Sequence, residues 1–372
     1  MAGDSARRAG AILEIDLAGI AANWRSLARR VEPARCAAVV KADAYGLGAA
    51  RVAPALAEAG CGLFFVATID EGIALRKVLP KPIEIGVLNG PLPDSAAEFP
   101  EHRLTPLLNE PGQIADWRRL AERRGRLPAF LHLDTGMARL GLTMREFDAM
   151  PDEIFSSSPI LWRGLVSHLA CADEPEHPLN DLQRARFAAS RERVPHLPAS
   201  LAASSGIFLG PAFHFDLVRP GAALYGVNPQ PGQPNPMRQI VRLKACILQV
   251  REVDRGQSVG YGATHLTDGP GRLATVAVGY ADGWFRALSP RGSGCLGGTR
   301  VPLLGRVSMD LVVFDVSGAD PALAHPGGFI ELLNQDQGVD AVAADAGTIG
   351  YEVLTALGRR YHRIYRCASG EC

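Results

Sequence analysis

The sequence predicts an α/β protein in which an N-terminal (β/α)8 TIM-like barrel is followed by a mostly β C-terminal domain. Over the first two thirds of the chain, short apolar runs alternate with amphipathic segments of helical period. Eight such runs occur, which is the number of strands that closes a barrel. After residue 226 the apolar runs are separated by glycine and proline, a pattern typical of a β domain.

The barrel strands are predicted from apolar, β-branched runs of the kind that a parallel sheet buries on both faces. They lie at residues 36–40, 63–67, 83–87, 104–107, 129–133, 164–168, 199–203 and 215–219. Amphipathic segments at residues 49–59, 70–78, 110–124 and 179–193 predict helices between several of them. The barrel is therefore expected to span residues 17–236.

The last part of the predicted barrel region is a proline-rich segment, residues 228–236, which indicates a linker because proline excludes a helix or a central strand. The second domain is expected at residues 237–372. Its strands are predicted at residues 241–250, 272–278, 301–304, 311–316 and 328–333, with a helix near 350–360. An early strand within residues 1–16 precedes the barrel, and we expect it to pair with the second domain.

Charge and cysteine content exclude several classes of protein. The 372-residue chain has 39 basic and 39 acidic residues, so it lacks the basic excess of nucleic-acid and anionic-membrane binders. No apolar stretch is long enough to span a bilayer, and charged residues interrupt any N-terminal signal-like run. The seven cysteines are scattered without a Cys-x-x-Cys pair, which favours neither a zinc site nor a disulfide framework. A cytoplasmic protein without a metal is expected.

Lys41 is the first candidate catalytic residue. It ends the first apolar run, at the carboxyl end of a predicted strand, where α/β barrels build their active sites. Partial burial there lowers the pKa of a lysine and lets its amine act as a nucleophile or form a Schiff base. Taken alone, the position equally suits a surface lysine that follows a strand.

Further polar motifs follow other predicted strands or lie in the second domain. Those of the barrel are His132-Leu-Asp-Thr-Gly-Met-Ala-Arg139, Ser167-His168, Ser204-Ser205-Gly206 and Arg219-Pro-Gly221-Ala222. Those of the second domain are Gly260-Tyr261-Gly262, Gly279-Tyr280-Ala-Asp282, Ser308-Met309-Asp310 and Gly350-Tyr351-Glu352. In this order, from residue 13 to residue 366, the motifs resemble those of alanine racemase, a pyridoxal-phosphate (PLP) enzyme with this architecture.

The resemblance implies a PLP site in the barrel. PLP needs a lysine amine, which Lys41 supplies, and its phosphate needs N–H and hydroxyl donors. The resemblance implies that Arg219 faces the pyridine nitrogen. Because a guanidinium does not give up its proton, the ring remains a weaker electron sink than one facing a carboxylate. The other cofactor-binding residues implied are Tyr45, His168, Ser205, Gly221, Ala222 and Tyr351.

The resemblance also implies a two-base mechanism that interconverts L-alanine and D-alanine. Lys41 and Tyr261 would act on opposite faces of the external aldimine, with Tyr261 supplied by the neighbouring subunit of a head-to-tail homodimer. A tyrosine needs a nearby cation or donor to act near neutrality, since its unperturbed pKa is ~10. Arg139 and His168 are implied to provide this environment. The implied substrate-binding residues are Arg139, Met309, Tyr280 and Asp310, and the implied role is D-alanine supply for peptidoglycan.

Several positions depart from the family pattern. His132 stands where many members carry a carbamylated lysine, so acidic support for Arg139 must come from elsewhere or from a bound anion. Asp43 and Leu47 replace a common asparagine and histidine beside Lys41, and Leu201 replaces a histidine that often braces the arginine at position 219. We expect altered tuning rather than lost activity.

Other functions are less well supported by the sequence. A PLP-dependent amino-acid decarboxylase would be expected to place a carboxylate at the pyridine nitrogen, where Arg219 stands. A non-catalytic PLP-binding protein would need only the barrel and not the residues after 226. Discrimination between alanine and serine is not set by the sequence, since one hydroxyl changes binding in such pockets by only ~1–3 kcal/mol.

Overall fold

The computed structural model describes residues 8–367 and 370–371 in two compact units. The first unit joins the described residues up to Gly19 with those from Gln239 onward, and the second spans Ile20–Arg238. Strand β1 (Ala11–Asp16) and helix α1 (Leu17–Val31) open the described chain. Helix α1 has the two-sided polarity of a surface helix, with Leu27 and Val31 on its buried side.

The second unit contains most of α1, nine short strands and seven further helices. The strands are β2 (Arg35–Cys36), β3 (Ala38–Val39), β4 (Leu63–Val66), β5 (Glu84–Val87), β6 (Thr105–Leu108), β7 (Leu127–His132), β8 (Ile160–Val166), β9 (Ala199–Ser200) and β10 (Leu217–Val218). After α1, the helices are α2 (Ala49–Glu58), α3 (Ile69–Arg76), α4 (Glu98–Glu101), α5 (Pro111–Arg124), α6 (Met144–Asp148), α7 (Glu153–Ser156) and α8 (Pro178–Arg193).

Backbone hydrogen bonds close these strands into a barrel, which confirms the predicted fold class. Strands β3 to β9 form one parallel sheet in chain order, and β10 pairs in parallel with β2. The remaining gap is bridged where Asp216 donates its N–H to Ala199 O at 3.0 Å and Arg219 donates to Ala202 O at 2.9 Å. Because all strands are parallel, their carboxyl ends meet at one end of the barrel.

The barrel interior is filled by alternate residues of its strands. Phe65 and Phe130 pack there with ring centroids 5.6 Å apart. The rest of this buried cluster consists of Ala37, Val39, Leu63, Leu107, Val166 and Leu217. Because a strand points alternate side chains to opposite faces, this set also fixes which residues of each strand face the helices.

The first unit contains the mostly β domain. Its strands are β11 (Val241–Val253), β12 (Ser258–Val259), β13 (His265–Leu266), β14 (Gly271–Val276), β15 (Ser293–Leu296), β16 (Thr299–Leu304), β17 (Val312–Asp315), β18 (Phe329–Leu333), β19 (His362–Cys367) and β20 (Gly370–Glu371). Helices α9 (Val339–Ala346) and α10 (Gly350–Ala356) complete it. A nine-stranded sheet has the order β14-β17-β16-β15-β18-β11-β1-β19-β20, and β11 also pairs with β14.

Strand β1 lies inside this sheet. It pairs antiparallel with β11, from Ala11 opposite Ala245 to Ile15 opposite Val241, and parallel with β19. Cys367 of β19 forms a disulfide bond, which the scattered cysteine spacing did not indicate, and five other described cysteines have free thiols. Within residues 8–367 and 370–371, no helix combines the length and apolarity needed to cross a membrane.

Candidate active site

An unusual backbone turn follows strand β3 and starts from Lys41. Ala42, Asp43, Ala44 and Tyr45 have φ values between 52° and 55°, in the left-handed helical region. That conformation costs roughly 1–2 kcal/mol for each L-residue with a Cβ, so a run of four is rare. Such strain persists only where surrounding contacts enforce it, and it is concentrated at functional sites.

Two carboxylates hold the turn in place, one from outside the turn and one from within it. Glu71 of α3 accepts the N–H of Ala42 at 2.7 Å, and Asp43 accepts the N–H of Ala49, at the start of α2, at 2.7 Å. The Ala44 side of the turn is buried, and Leu47, at a position where the resemblance implies a histidine, is fully buried beside it. Asp43, the second departure from the family pattern, therefore links the lysine loop to the following helix.

The surroundings of Lys41 favour its neutral form. Burial lowers the pKa of its ammonium, and the Arg139 guanidinium lowers it further, while the Glu71 carboxylate opposes both. Lys41, Arg139 and Glu71 thus lie close enough to influence one another across three different loops of the barrel. A lysine of lowered pKa has a larger fraction of free amine near neutrality and is a better nucleophile and base.

The left-handed turn carries Tyr45 to the last barrel strand. Its hydroxyl lies directly against Gly221, where a side chain of any size would collide with it. The Tyr45 ring packs on that of Tyr225 with centroids 4.7 Å apart, and the Tyr225 hydroxyl donates to Val39 O at 3.0 Å. Ser204 braces the same region, since its Oγ accepts the N–H groups of Gly221 and Ala223, both at 3.1 Å.

Ser205 and Ala222, two of the predicted cofactor-binding residues, begin short 3-10 helices beside Gly221. Neither donates its backbone N–H to another residue in the described part of the chain. Their N–H groups and the Tyr45 hydroxyl therefore form a set of donors at the carboxyl ends of the last two strands. Barrels commonly bind phosphate at this position.

Arg219 is almost completely buried, with 4% of its surface exposed. Its guanidinium donates to Ser200 Oγ and, at 2.6 Å, to Ser167 O, and burial lowers its pKa to about 10. The Ser167 hydroxyl is fixed in turn by Leu133 O at 2.8 Å. Hydroxyl and carbonyl groups brace this arginine where the family often has a histidine, and no described carboxylate contacts it.

Two histidines near Arg219 are held neutral. Burial, Arg219 and Arg139 together lower the pKa of His132 to about 4 and that of His168 to about 3. His132 Nδ1 lies 2.7 Å from Asn109 Oδ1, and because the amide oxygen accepts, Nδ1 carries the proton. Asn109 is itself fixed through Leu88 O and Leu107 O. Arg139 therefore acts on a neutral imidazole at the position where the resemblance implies a carbamylated lysine.

In the β unit, Tyr261 lies on a short turn between β12 and β13. It is flanked by Gly260 (φ 71°) and Gly262 (φ 74°), whose backbone conformations favour glycine. The side chain of Tyr261 is 74% exposed, the largest exposure among the large hydrophobic residues of the described chain. Such exposure is unusual for a tyrosine that only packs.

The remaining predicted residues of the β unit share one scaffold. Asp282 accepts the N–H of Gly279 at 2.9 Å, and Arg360 bridges Asp282 at 2.9 Å and Asp310 at 2.7 Å. Two backbone bonds at 3.0 Å join the loop of Tyr280 to Ser308 O and Met309 O. One arginine thus connects the loops that carry Tyr280, Met309 and Asp310.

The structure brings the predicted residues together within each unit. Lys41, Tyr45, Arg139, His168, Ser205, Arg219, Gly221 and Ala222 belong to the barrel unit, whereas Tyr261, Tyr280, Met309, Asp310 and Tyr351 belong to the β unit. Sequence reasoning missed Glu71, Ser200 and Arg360, which act through hydrogen bonds between distant segments, and it named Ser204 in a motif without giving it a role. Of these, the Thr68-x-x-Glu71 spacing was a readable signal, because it is the pattern of a helix capping box.

Comparisons with known proteins give one consistent result. The family model described as the alanine racemase N-terminal domain matches residues 15–229, and the model of the C-terminal domain matches residues 240–365. An alanine racemase of Rhodospirillum rubrum is 53% identical over 363 residues, covering 96% of both chains. A protein named "Alanine racemase, catabolic" from Mesorhizobium japonicum is 49% identical, covering 96% of this chain and 93% of the relative.

The solved structures agree with the sequence comparison. Alanine racemase from Bartonella henselae, determined with covalently bound pyridoxal phosphate, superimposes with a TM-score of 0.92 at 42% identity. The match covers 96% of this chain and 99% of the Bartonella chain. An alanine racemase from Streptomyces coelicolor gives a TM-score of 0.91 at 33% identity, covering 98% and 99% of the two chains.

The neutral His132 predicts that stability falls in mild acid. Its folded-state pKa of about 4 lies below the ordinary value of 6.5, so between these values the unfolded chain binds more protons. Its contribution is fully present above pH 6.5 and is lost as the pH falls towards 4, at most roughly 3 kcal/mol. Denaturant unfolding measured across this range checks the slope. His132→Gln should reduce the slope and leave the part due to His168, whose pKa is lowered to about 3, whereas His196→Gln, at an exposed position, should leave the slope as it is; an unchanged slope in His132→Gln contradicts the assignment.

Proposed function

The chain belongs to the alanine racemase family, and we propose that it interconverts L-alanine and D-alanine with PLP as its cofactor. The observation that carries this proposal is the strained turn that has Lys41 at one end and Tyr45 at the other. One end of the turn supplies an amine of lowered pKa, and the other sets a phenol against Gly221. The Bartonella relative, with its covalently bound pyridoxal phosphate, supports the same cofactor here.

The residues of the barrel unit fit PLP. Lys41 offers the amine that holds the cofactor covalently, and Tyr45, Ser205 and Ala222 offer donors for its phosphate. The space beside Tyr45 exists because residue 221 is glycine, since a Cβ there would displace the Tyr45 hydroxyl. Arg219 supplies a buried cation that keeps its proton, which suits an unprotonated pyridine nitrogen. By family resemblance, His168 and Tyr351 complete the set.

PLP, when bound, withdraws electrons from the α-carbon of the substrate and so acidifies the α-proton. The protein must then remove that proton on one face and deliver a proton on the other. We assign these two tasks to the Lys41 amine and the Tyr261 hydroxyl, in one order for L-alanine and in the reverse order for D-alanine. After each turnover one base holds an extra proton and the other lacks one, and proton exchange with water returns both to their starting states, so no other reactant is consumed.

The arrangement around Arg219 supports a racemase over a decarboxylase. A decarboxylase benefits from a strong electron sink, which requires a protonated pyridine and a carboxylate facing it. The resemblance assigns that position to the Arg219 guanidinium, whose partners are Ser200 Oγ and Ser167 O. A weaker sink limits side reactions and leaves proton transfer as the favoured outcome.

The exposure of the β-unit residues supports composite sites in a head-to-tail homodimer. Tyr261, Met309, Tyr280 and Tyr351 are 74%, 53%, 44% and 42% exposed, although aromatic and sulfur side chains favour burial. A second copy of the chain would bury them against its own barrel and receive the same residues in return, as twofold symmetry requires. Arg139, Met309, Tyr280 and Asp310 would then contact the substrate. D-alanine for peptidoglycan and a cytoplasmic location are proposed from the resemblance.

The proposed activity is tested by incubating purified protein with L-alanine and measuring D-alanine by chiral chromatography. D-alanine should form, and Lys41→Ala should lose both activity and visible cofactor absorbance because the covalent attachment is gone. Lys81→Ala, which changes an exposed lysine, should retain both. Release of CO2 from amino acids without D-alanine would contradict the racemase assignment, and full activity in Lys41→Ala would contradict the role of Lys41.

The two-base assignment predicts an asymmetric effect of Tyr261→Phe. The variant should bind PLP normally, because the lost hydroxyl is not part of the phosphate site. Exchange of the α-proton with D2O should fall by about 10²–10⁴-fold from one enantiomer of alanine, the usual contribution of an acid–base group, and much less from the other. Mass spectrometry of each recovered enantiomer measures the exchange. Equal losses from both enantiomers would reject the scheme.

A further inference from the structure

Glu71 uses its two carboxylate oxygens for two different purposes. Oε2 accepts the N–H groups of Ala67 at 2.8 Å and Thr68 at 3.4 Å, and Thr68 Oγ1 accepts the N–H of Glu71 in return. These contacts form a capping box at the start of α3, a common local device. Capping alone would leave the second oxygen to solvent.

The second oxygen instead binds the left-handed turn that follows Lys41. Oε1 accepts the N–H of Ala42 at 2.7 Å, at the residue directly after Lys41. Glu71 lies 29 residues further along the chain, so the bond joins the loop after β3 to the loop after β4. Its short length is typical of a hydrogen bond to an ionised acceptor, which is roughly twice as strong as one between neutral groups.

At Ala42 the left-handed backbone receives little support from packing. Ala42 and Asp43 are exposed, so packing does not hold this end, in contrast to the buried Ala44. The bond from Glu71 fixes the first left-handed residue, and the Asp43–Ala49 bond fixes the second. Without the first anchor, Ala42 would be held mainly by the bond that its carbonyl accepts from Gly46 N–H at 2.7 Å, and the backbone next to Lys41 would be less restrained against the right-handed region that L-residues prefer.

Glu71 also contributes charge to the Lys41 environment. The charged and titratable groups that face Lys41 are Arg139 from the loop after β7, His168 after β8 and Glu71 after β4. Arg139 lowers the pKa of Lys41, and Glu71 raises it. Among these three groups, Glu71 is the acid that counters the arginine.

We propose that Glu71 is a positioning residue for racemisation, whose carboxylate holds the left-handed turn and thereby aims the Lys41 amine. The assignment rests on the proposed function of Lys41 and extends it to a residue outside the motif of the lysine loop. A residue that only capped α3 would affect stability alone. A positioning residue also changes the geometry and the titration of Lys41.

Glu71→Gln tests the assignment with little change of shape, because it removes the charge and leaves only one oxygen to accept. In the holoenzyme, kcat should fall by about tenfold to a hundredfold, the usual cost of small misplacement, with KM little changed. The acidic limb of kcat should move to lower pH, because in the enzyme–substrate complex the Lys41 amine is released from the cofactor and the charge that raises its pKa is gone. The matched control is Glu110→Gln. The Glu110 carboxylate caps α5 by accepting the N–H groups of Gly112 at 2.8 Å and Gln113 at 2.6 Å. Glu110 lies far from Lys41 along the chain.

A second readout is independent of racemase activity. The chain has only four lysines, Lys41, Lys77, Lys81 and Lys244, so competitive acetylation followed by mass spectrometry resolves each one. In the full chain stripped of PLP, the midpoint for Lys41 should lie at lower pH in Glu71→Gln than in the wild type and in Glu110→Gln. The other three lysines serve as internal references.

The outcomes separate the two proposals. If Glu71→Gln matches Glu110→Gln in kcat, in pH profile and in the labelling of Lys41, Glu71 is only a helix cap and the assignment is overturned. If the wild-type protein fails to racemise alanine, the proposed function fails, while the labelling midpoint of Lys41 still reports whether Glu71 controls this lysine.

Discussion

Four consecutive left-handed residues follow Lys41, and this backbone is held both by hydrogen bonds of the loop itself and by groups outside it. Glu71, the N–H of Ala49 and the buried packing of Ala44 supply that support. The turn reverses the chain tightly enough that Lys41 and Tyr45 both serve the carboxyl end of the barrel. The position of Gly221 depends on it too, because the Tyr45 hydroxyl occupies the space of a missing side chain. One backbone constraint thus sets the positions of both Lys41 and Tyr45, which we propose hold the cofactor and its phosphate.

Electrostatics then determine the protonation states within that geometry. The buried Arg219 and the exposed Arg139 lower the pKa values of His132 and His168, so both imidazoles are neutral. Arg139 also lowers the pKa of Lys41, so a larger fraction of its amine is unprotonated near neutrality. A site rich in fixed cations suits an anionic cofactor phosphate and a substrate carboxylate, and it favours a lysine that serves as a base. Glu71 moderates the cationic field at Lys41.

The fold was largely predictable, because each barrel strand is a short apolar run and eight runs were visible. The run predicted at residues 63–67 forms β4 at Leu63–Val66. Strands β9 and β10 are shorter than predicted, at two residues each, because the chain leaves the sheet to form the loops around Ser204 and Gly221. Helix α9 escaped prediction because Gly338 offers no side-chain cap and the helix has only eight residues.

The candidate site was predictable only where a motif marked it. Lys41 and Arg219 lie in recognisable local patterns, but the partners that hold them do not. Ser200 and Ser204 act through neighbouring strands, and Arg360 joins loops 50 residues apart. Such partners depend on the closed topology, which local periodicity does not encode. The spacing of Thr68 and Glu71 could have indicated a helix start at Ile69, yet the second oxygen of Glu71 became informative only when the structure placed Ala42 beside it.

The central claim is that two bases, Lys41 of one chain and Tyr261 of another, share each site. Mixing inactive Lys41→Ala and Tyr261→Phe subunits under exchange conditions tests it most directly. A hybrid dimer would contain one site with both bases intact, so random pairing should restore about a quarter of wild-type racemase activity. If both bases came from the same chain, no hybrid would hold an intact site. Activity that stays at the level of the separate variants, with hybrid dimers shown by native mass spectrometry, would contradict the account.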